Sequence, residues 1–188
     1  MRVFSFRPAL TLRGRKFNGL RGWAGKPFHP PLTDVPVAAY LFAAAFDLIS
    51  FIGGSRSWAV GFHRAATYVL VGGLAVSLLA ALTGFWDWLR STPKGTQARR
   101  TVNTHAWIMV TVTALVAADL AVRLTKESGA VHSGVGTLVL SLLAAALVTL
   151  GATYGGALVY DYGFNVETAG DHPVWHVSET DVFPGQRG

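Results

Sequence analysis

The sequence predicts an all-α integral membrane protein, an up-and-down four-helix bundle, and three observations predict it. First, 51% of the 188 residues are hydrophobic, only 14% are charged, and mean hydropathy is +0.39, too few surface-type side chains for a soluble domain of this size. Second, four apolar stretches, near 34–53, 62–86, 105–124 and 133–160, each supply the roughly 20 helical residues that cross about 30 Å of hydrocarbon. Third, His29, His63, His105 and His132 each sit at or just before the start of one of these stretches. In an up-and-down bundle that places two histidines at each membrane face.

Residues 1–28 mix Arg, Gly and isolated aromatics such as Phe6, Phe17 and Trp23, and read as a basic cytoplasmic or interfacial arm. The membrane domain follows over 29–165. Thr33 or Asp34 can cap the first span with Pro36 in its first turn, although Pro30 and Pro31 could start the helix earlier. The second span, 62–86, exits through Gly84-Phe85-Trp86-Asp87-Trp88. Asn103 or Thr104 can cap the third, and Ser128 or Gly129 lies just before the fourth. Small residues recur within the spans (Ala43 to Ala45, Gly72 and Gly73, Ala144 to Ala146, Gly151 with Gly155) and let helices approach closely in lipid. Residues 166–188 form a short acidic cytoplasmic tail, in which Pro173 between His172 and His176 disfavours a helical ligand pair.

A weak internal repeat runs through the spans. The second and fourth both end with an Asp between aromatics, Asp87 and Asp161, while the first and third pair an early His (His29, His105) with a late Asp (Asp47, Asp119). Two helical hairpins of one plan would produce this pattern, as would the general preference for aromatics and charges at interfaces.

Lys and Arg set the expected orientation. Residues 1–33 hold seven and no acidic side chain; the 89–104 link holds Arg90, Lys94, Arg99 and Arg100; the 54–61 and 125–132 links hold one each, Arg56 and Lys126. Both termini and the middle link are therefore expected in the cytoplasm. The N-terminal segment lacks the apolar core of a signal peptide and is expected to remain attached. A pI near 10.1 fits this topology and anionic lipid rather than nucleic acid, because the basic residues flank spans and no nucleic-acid fold signature occurs. Without cysteine there are no disulfides, thioether-linked haem, or cysteine-ligated clusters or zinc. No Ser-His-Asp, phosphate-loop or zinc-protease pattern supports hydrolysis.

The polar residues at membrane depth carry the functional expectation. His29 and His105 share the inner layer with Asp34 and Asp87, and His63 and His132 the outer layer with Asp47 and Asp119. An ionised Asp inside a span costs roughly 2.5–3.5 kcal/mol, so Asp47 and Asp119 should face the bundle interior or stay near its boundary. Opposed imidazoles on different helices are what a b-type haem needs, so one or two such haems are expected, held by His29 with His105 and by His63 with His132. Arg99 and Arg100 are candidate propionate partners at the inner boundary. Two His and two Asp per layer would also suit zinc or non-haem iron, but tight ligand spacing is missing, and no metal beyond haem iron is expected. The same residues also read as caps and interhelical hydrogen-bond partners without any cofactor.

The run His29-Pro30-Pro31-Leu32-Thr33-Asp34-Val35-Pro36, with Asp47 after it, resembles the bacterial membrane family called domain of unknown function 2231. Thr83-Gly84 with Asp87-Trp88, Arg99-Arg100, His105-Ala106, and Gly155-Gly156-Ala157-Leu158-Val159-Tyr160 with Gly163 continue the resemblance in order. It implies a four-span domain, loosely akin to four-helix dihaem cytochromes, with some relatives joined to Rieske domains. It also implies that His29, His105, Asp34, Asp47, Asp87 and Tyr160 are family positions. His63 and His132 depart from that pattern, and no Rieske ligands follow residue 166. Three functions are therefore expected in competition. One is a haem-binding electron-transfer subunit acting with a quinone or a larger respiratory-type complex. The second is a cofactor-free accessory or assembly subunit, docked in such a complex or in a homo-oligomer. The third is a small ion or proton pathway through Asp47 and Asp119.

Overall fold

The computed structural model describes residues 19–20 and 27–166 and contains four long helices: α1 (His29–Gly53), α2 (Ser57–Ser91), α3 (Gln97–Thr125) and α4 (Val135–Tyr160). All four are long and apolar enough to cross a membrane. At 35 residues, about 52 Å, α2 exceeds the hydrocarbon thickness, so its ends reach interfacial depth. The helices run up and down. α1 packs chiefly on α2 and α3 on α4, α1 also meets α4, and α2 meets α3 most sparsely; α1 and α3 therefore lie across one diagonal, α2 and α4 across the other. The two ends of the bundle differ. The terminal end holds the start of α1, the end of α4 and the α2–α3 link, and the far end holds the two other links.

Helix starts differ from the sequence expectation for local reasons. α1 begins at His29, the earlier of the two starts the sequence allowed, because Pro30 and Pro31 occupy its first turn, where no backbone N–H is needed. Thr33 donates to the Pro30 carbonyl at 2.7 Å instead of capping, and Pro36 lies two turns inside the helix. α3 starts at Gln97 with Thr96 as its cap, its hydroxyl accepting the Arg99 N–H at 3.1 Å. Asn103 is free of that duty and accepts the Trp88 indole N–H at 2.7 Å, while Thr104 bonds back to the Arg100 carbonyl. α4 starts at Val135 behind Gly134, later than Ser128 or Gly129 would have it. In consequence His63 and His105 lie well inside their helices, the latter about 12 Å from the start of α3.

The interior is built from small and β-branched residues around one aromatic: Tyr40 with Ala39 and Ala43 of α1, Leu70 of α2, Val112 and Val116 of α3, Ala144 and Val148 of α4. Large apolar side chains point outward instead, among them Phe42, Tyr68, Leu82, Trp107 and Leu150. Lipid solvates them as well as a core would, so helix association relies on close backbone approach. At Gly73 a Cβ would stand 2.7 Å from the Ala39 Cβ, which explains the tight α1–α2 contact.

Candidate functional site

Two histidine modules of matching construction occupy the terminal end. The His29 ring at the start of α1 reaches α2, where Nδ1 lies 2.9 Å from the Ala80 carbonyl oxygen and 3.2 Å from the Thr83 hydroxyl. The His105 ring reaches α4, with Nδ1 2.8 Å from the Gly151 carbonyl oxygen. A carbonyl oxygen can only accept, so in both rings Nδ1 carries the proton and donates. The neutral imidazole then keeps its lone pair on Nε2, and among the described residues neither Nε2 has a hydrogen-bond partner.

Each ring also rests on a glycine one turn beyond its carbonyl. A Cβ on Gly84 would come within 2.7 Å of His29 Cε1, and one on Gly155 within 3.2 Å of His105 Cε1. The rings therefore occupy space that any other residue would fill. His29 and His105 stand on diagonal helices at the same end of the bundle. The modules match as His29 with Ala80 and Gly84 against His105 with Gly151 and Gly155, but in the same register Asp47 falls opposite Arg123 and Asp119 opposite Ala43, so the early-His, late-Asp match of the first and third spans does not hold position by position. This register sets Asp87 opposite Leu158 rather than Asp161, so the aromatic-flanked aspartates are not equivalent positions.

The other terminal-end residues have separate roles. Asp87 is buried and accepts the Leu20 N–H at 2.9 Å, tying the segment before α1 to α2. Arg99 stacks on the Trp88 ring, 3.6 Å from its centroid, and donates to the Trp88 and Thr92 carbonyls at 2.9 and 3.0 Å, satisfying the end of α2. Arg100 is exposed, as are Asp34 and Tyr160, and neither of the latter reaches the histidines.

The far end is organised around a residue the sequence reading missed. Arg123, 2% exposed, sits in the last turn of α3 and donates to Asp47 of α1 through Nη2, to Asp119 through Nε at 2.9 Å, and to Thr67 of α2 at 3.4 Å. Asp47 also accepts the Ser133 hydroxyl proton at 2.7 Å, and Ser133 N–H donates to Ser50, whose hydroxyl donates to the Ala59 carbonyl. α1, α2, α3 and the link that leads into α4 are thereby tied together. The legible signal was an oppositely charged pair, Asp119 and Arg123, one turn apart within an apolar span. Ser50, Thr67 and Ser133 carried none, since hydroxyl residues are common in such helices.

His63 and His132 both approach this cluster, but not as a mirrored pair. His63 is buried with Nδ1 3.1 Å from the Ser133 hydroxyl, whereas His132 lies in the α3–α4 link beside the Ser133 carbonyl, also at 3.1 Å. Two His and two carboxylates do not converge in either layer, and among the described residues no three His, Asp or Glu are grouped to hold a metal ion. His172 and His176 lie outside the described residues.

No curated protein and no solved structure matches the chain. The family model described as a predicted membrane protein, DUF2231, matches residues 25–168, which contain all four helices and both polar clusters. On that match the chain belongs to the DUF2231 family of membrane proteins.

Proposed function

We propose that the chain holds one b-type haem between His29 and His105 and serves as an electron-transfer subunit within the membrane, acting with a quinone or a larger respiratory-type complex. The observation carrying this reading is the matched pair of modules. Each presents an imidazole from a diagonal helix, with Nδ1–H fixed on a backbone carbonyl and Nε2 left as a lone-pair donor. Iron-ligating histidines are commonly oriented in this way, because the Nδ1–H bond fixes the ring and makes Nε2 a better ligand. The donor chemistry therefore fits a bis-imidazole iron.

A haem bound there supplies one-electron chemistry at its iron. His29 and His105 would hold it, Ala80 and Gly151 orient the two rings, and Gly84 and Gly155 give the rings their room. Of the two arginines expected at the inner boundary, Arg99 is engaged with α2, and the exposed Arg100 would pair with a propionate. The reading takes one haem rather than two, since the space between α1 and α3 at the far end is filled by the Arg123 cluster.

A reduced-minus-oxidised absorbance spectrum with a pyridine haemochrome assay on detergent-purified protein tests it. One low-spin b haem per chain is expected, lost in His29→Ala and His105→Ala and kept in His63→Ala and His132→Ala. A colourless protein from a haem-sufficient host overturns the reading.

A further inference from the structure

We propose that the far end of the bundle is a proton-binding site: one exchangeable proton enters at His63, passes through the Ser133 hydroxyl and is held by the buried carboxylates around Arg123. This does not rest on the haem reading, since the cluster lies about 27 Å along α1 from His29.

Charge and hydrogen-bond direction carry the inference. Asp47, Asp119 and Arg123 are respectively 0%, 1% and 2% exposed. Two carboxylates share one guanidinium, so with both ionised the buried cluster holds a net negative charge that lipid and protein solvate poorly. One added proton makes it neutral. The charged groups facing the cluster from other elements are Glu127, whose carboxylate accepts the Thr137 hydroxyl at 3.1 Å, and the half-buried His132. Arg56, Arg64 and Lys126 at the same end are exposed, and Arg56 bonds the Gly53 carbonyl. Glu127 adds to the negative balance, so the facing groups do not remove the need for a proton.

The path from His63 to Asp47 is continuous. Ser133 Oγ donates to Asp47 Oδ1 at 2.7 Å, and its lone pair therefore faces His63 Nδ1 at 3.1 Å, which must donate. A proton arriving at His63 Nε2 lets the Nδ1 proton pass to Ser133 as the Ser133 proton passes to Asp47. His63 ends neutral with its proton on Nε2, Ser133 keeps one proton, and Asp47 becomes a neutral acid. Arg123 then remains paired with Asp119, so the fold keeps one intact ion pair in either state.

Infrared spectroscopy of the full chain in detergent, titrated with pH and then exchanged into D2O, reads this directly. A protonated-carboxyl C=O band that shifts on deuteration is expected, abolished or displaced in Asp47→Asn or Asp119→Asn and retained in Asp87→Asn, which controls for the other buried carboxyl. Ser133→Ala should keep the band but slow its deuterium exchange severalfold. If that variant does not fold, His63→Phe carries the same test. The wild-type band decides the site whatever the variants do: its absence throughout the pH range in which the protein stays folded overturns the proposal. A band that survives both carboxamide substitutions overturns the assignment, and unchanged exchange in Ser133→Ala or His63→Phe overturns the route.

Discussion

Substituting Gly84 with Ala separates the proposed ligand role of His29 from a structural one. The new Cβ would lie 2.7 Å from His29 Cε1, against an ordinary carbon contact of about 3.5–4.0 Å, so the ring must retreat by about 1 Å. His29 Nδ1 is 2.9 Å from the Ala80 oxygen, and a retreat of that size stretches the bond past about 3.6 Å, where it ceases to be one. The lost bond is worth about 0.5–1.5 kcal/mol, while replacing a helical Gly with Ala returns about 1 kcal/mol of backbone preference. Thermal stability should therefore barely change. Haem affinity should fall by about 10- to 100-fold, the usual effect of disturbing a group that orients a metal ligand. The equivalent Gly155→Ala places its Cβ at 3.2 Å, a tight contact that a ring shift of a few tenths of an ångström relieves, so its effect should be much smaller. Haem per chain by pyridine haemochrome, set beside melting temperature in detergent, measures both. Full occupancy in Gly84→Ala, or a larger loss in Gly155→Ala, would refute the argument.

Three further outcomes follow from the far end and the links. Arg123→Met leaves Asp47 and Asp119 buried without their cation and should destabilise the bundle by about 3–5 kcal/mol, seen as a lowered melting temperature or loss of the monodisperse peak. The double exchange Asp47→Arg with Arg123→Asp should not restore stability, because it sets Asp119 against a second carboxylate one turn away; recovery to wild-type melting would make Asp119 dispensable. Since the chain has no cysteine, single cysteines at Ser55 and Lys94 have no background: an impermeant thiol reagent outside the cell should label Ser55→Cys and spare Lys94→Cys, and the reverse pattern would invert the expected orientation.

The four spans were legible because apolar length is the one requirement lipid imposes on every crossing helix, and loose boundaries did not obscure it. Histidine depth was not legible, since it depended on where helices start. Thr96, not Asn103, caps α3, and that single choice moved His105 two turns deeper. Pairing His29 with His105 followed from alternating helix direction alone, but the carbonyls and glycines that position them lie far away in sequence on partner helices, and only packing shows which turn of α2 or α4 each ring meets. Arg123 escaped for a different reason. At the end of a span a cation reads as an interfacial anchor, and its burial depends on whether α3 turns that face inward.

The two ends differ in the side chains that the His29–His105 register sets at matching positions. At the terminal end the matched positions on the diagonal helices are both histidine, His29 and His105. In the same register the position five turns beyond His29 is Asp47, and the position five turns beyond His105 is Arg123. The matched positions at the two ends are thus filled under different constraints. Two neutral imidazoles at such positions do not repel each other. Two aspartates or two arginines meeting there without water would repel, so a strictly symmetric charged pair could not have been buried. With Asp in one hairpin and Arg in the other, the contact becomes an attraction, at the cost of symmetry. Asp119 then adds a carboxylate whose equivalent on α1 is the buried Ala43, so that two carboxylates share one guanidinium. The terminal end carries no such charged pair, and its two modules are alike.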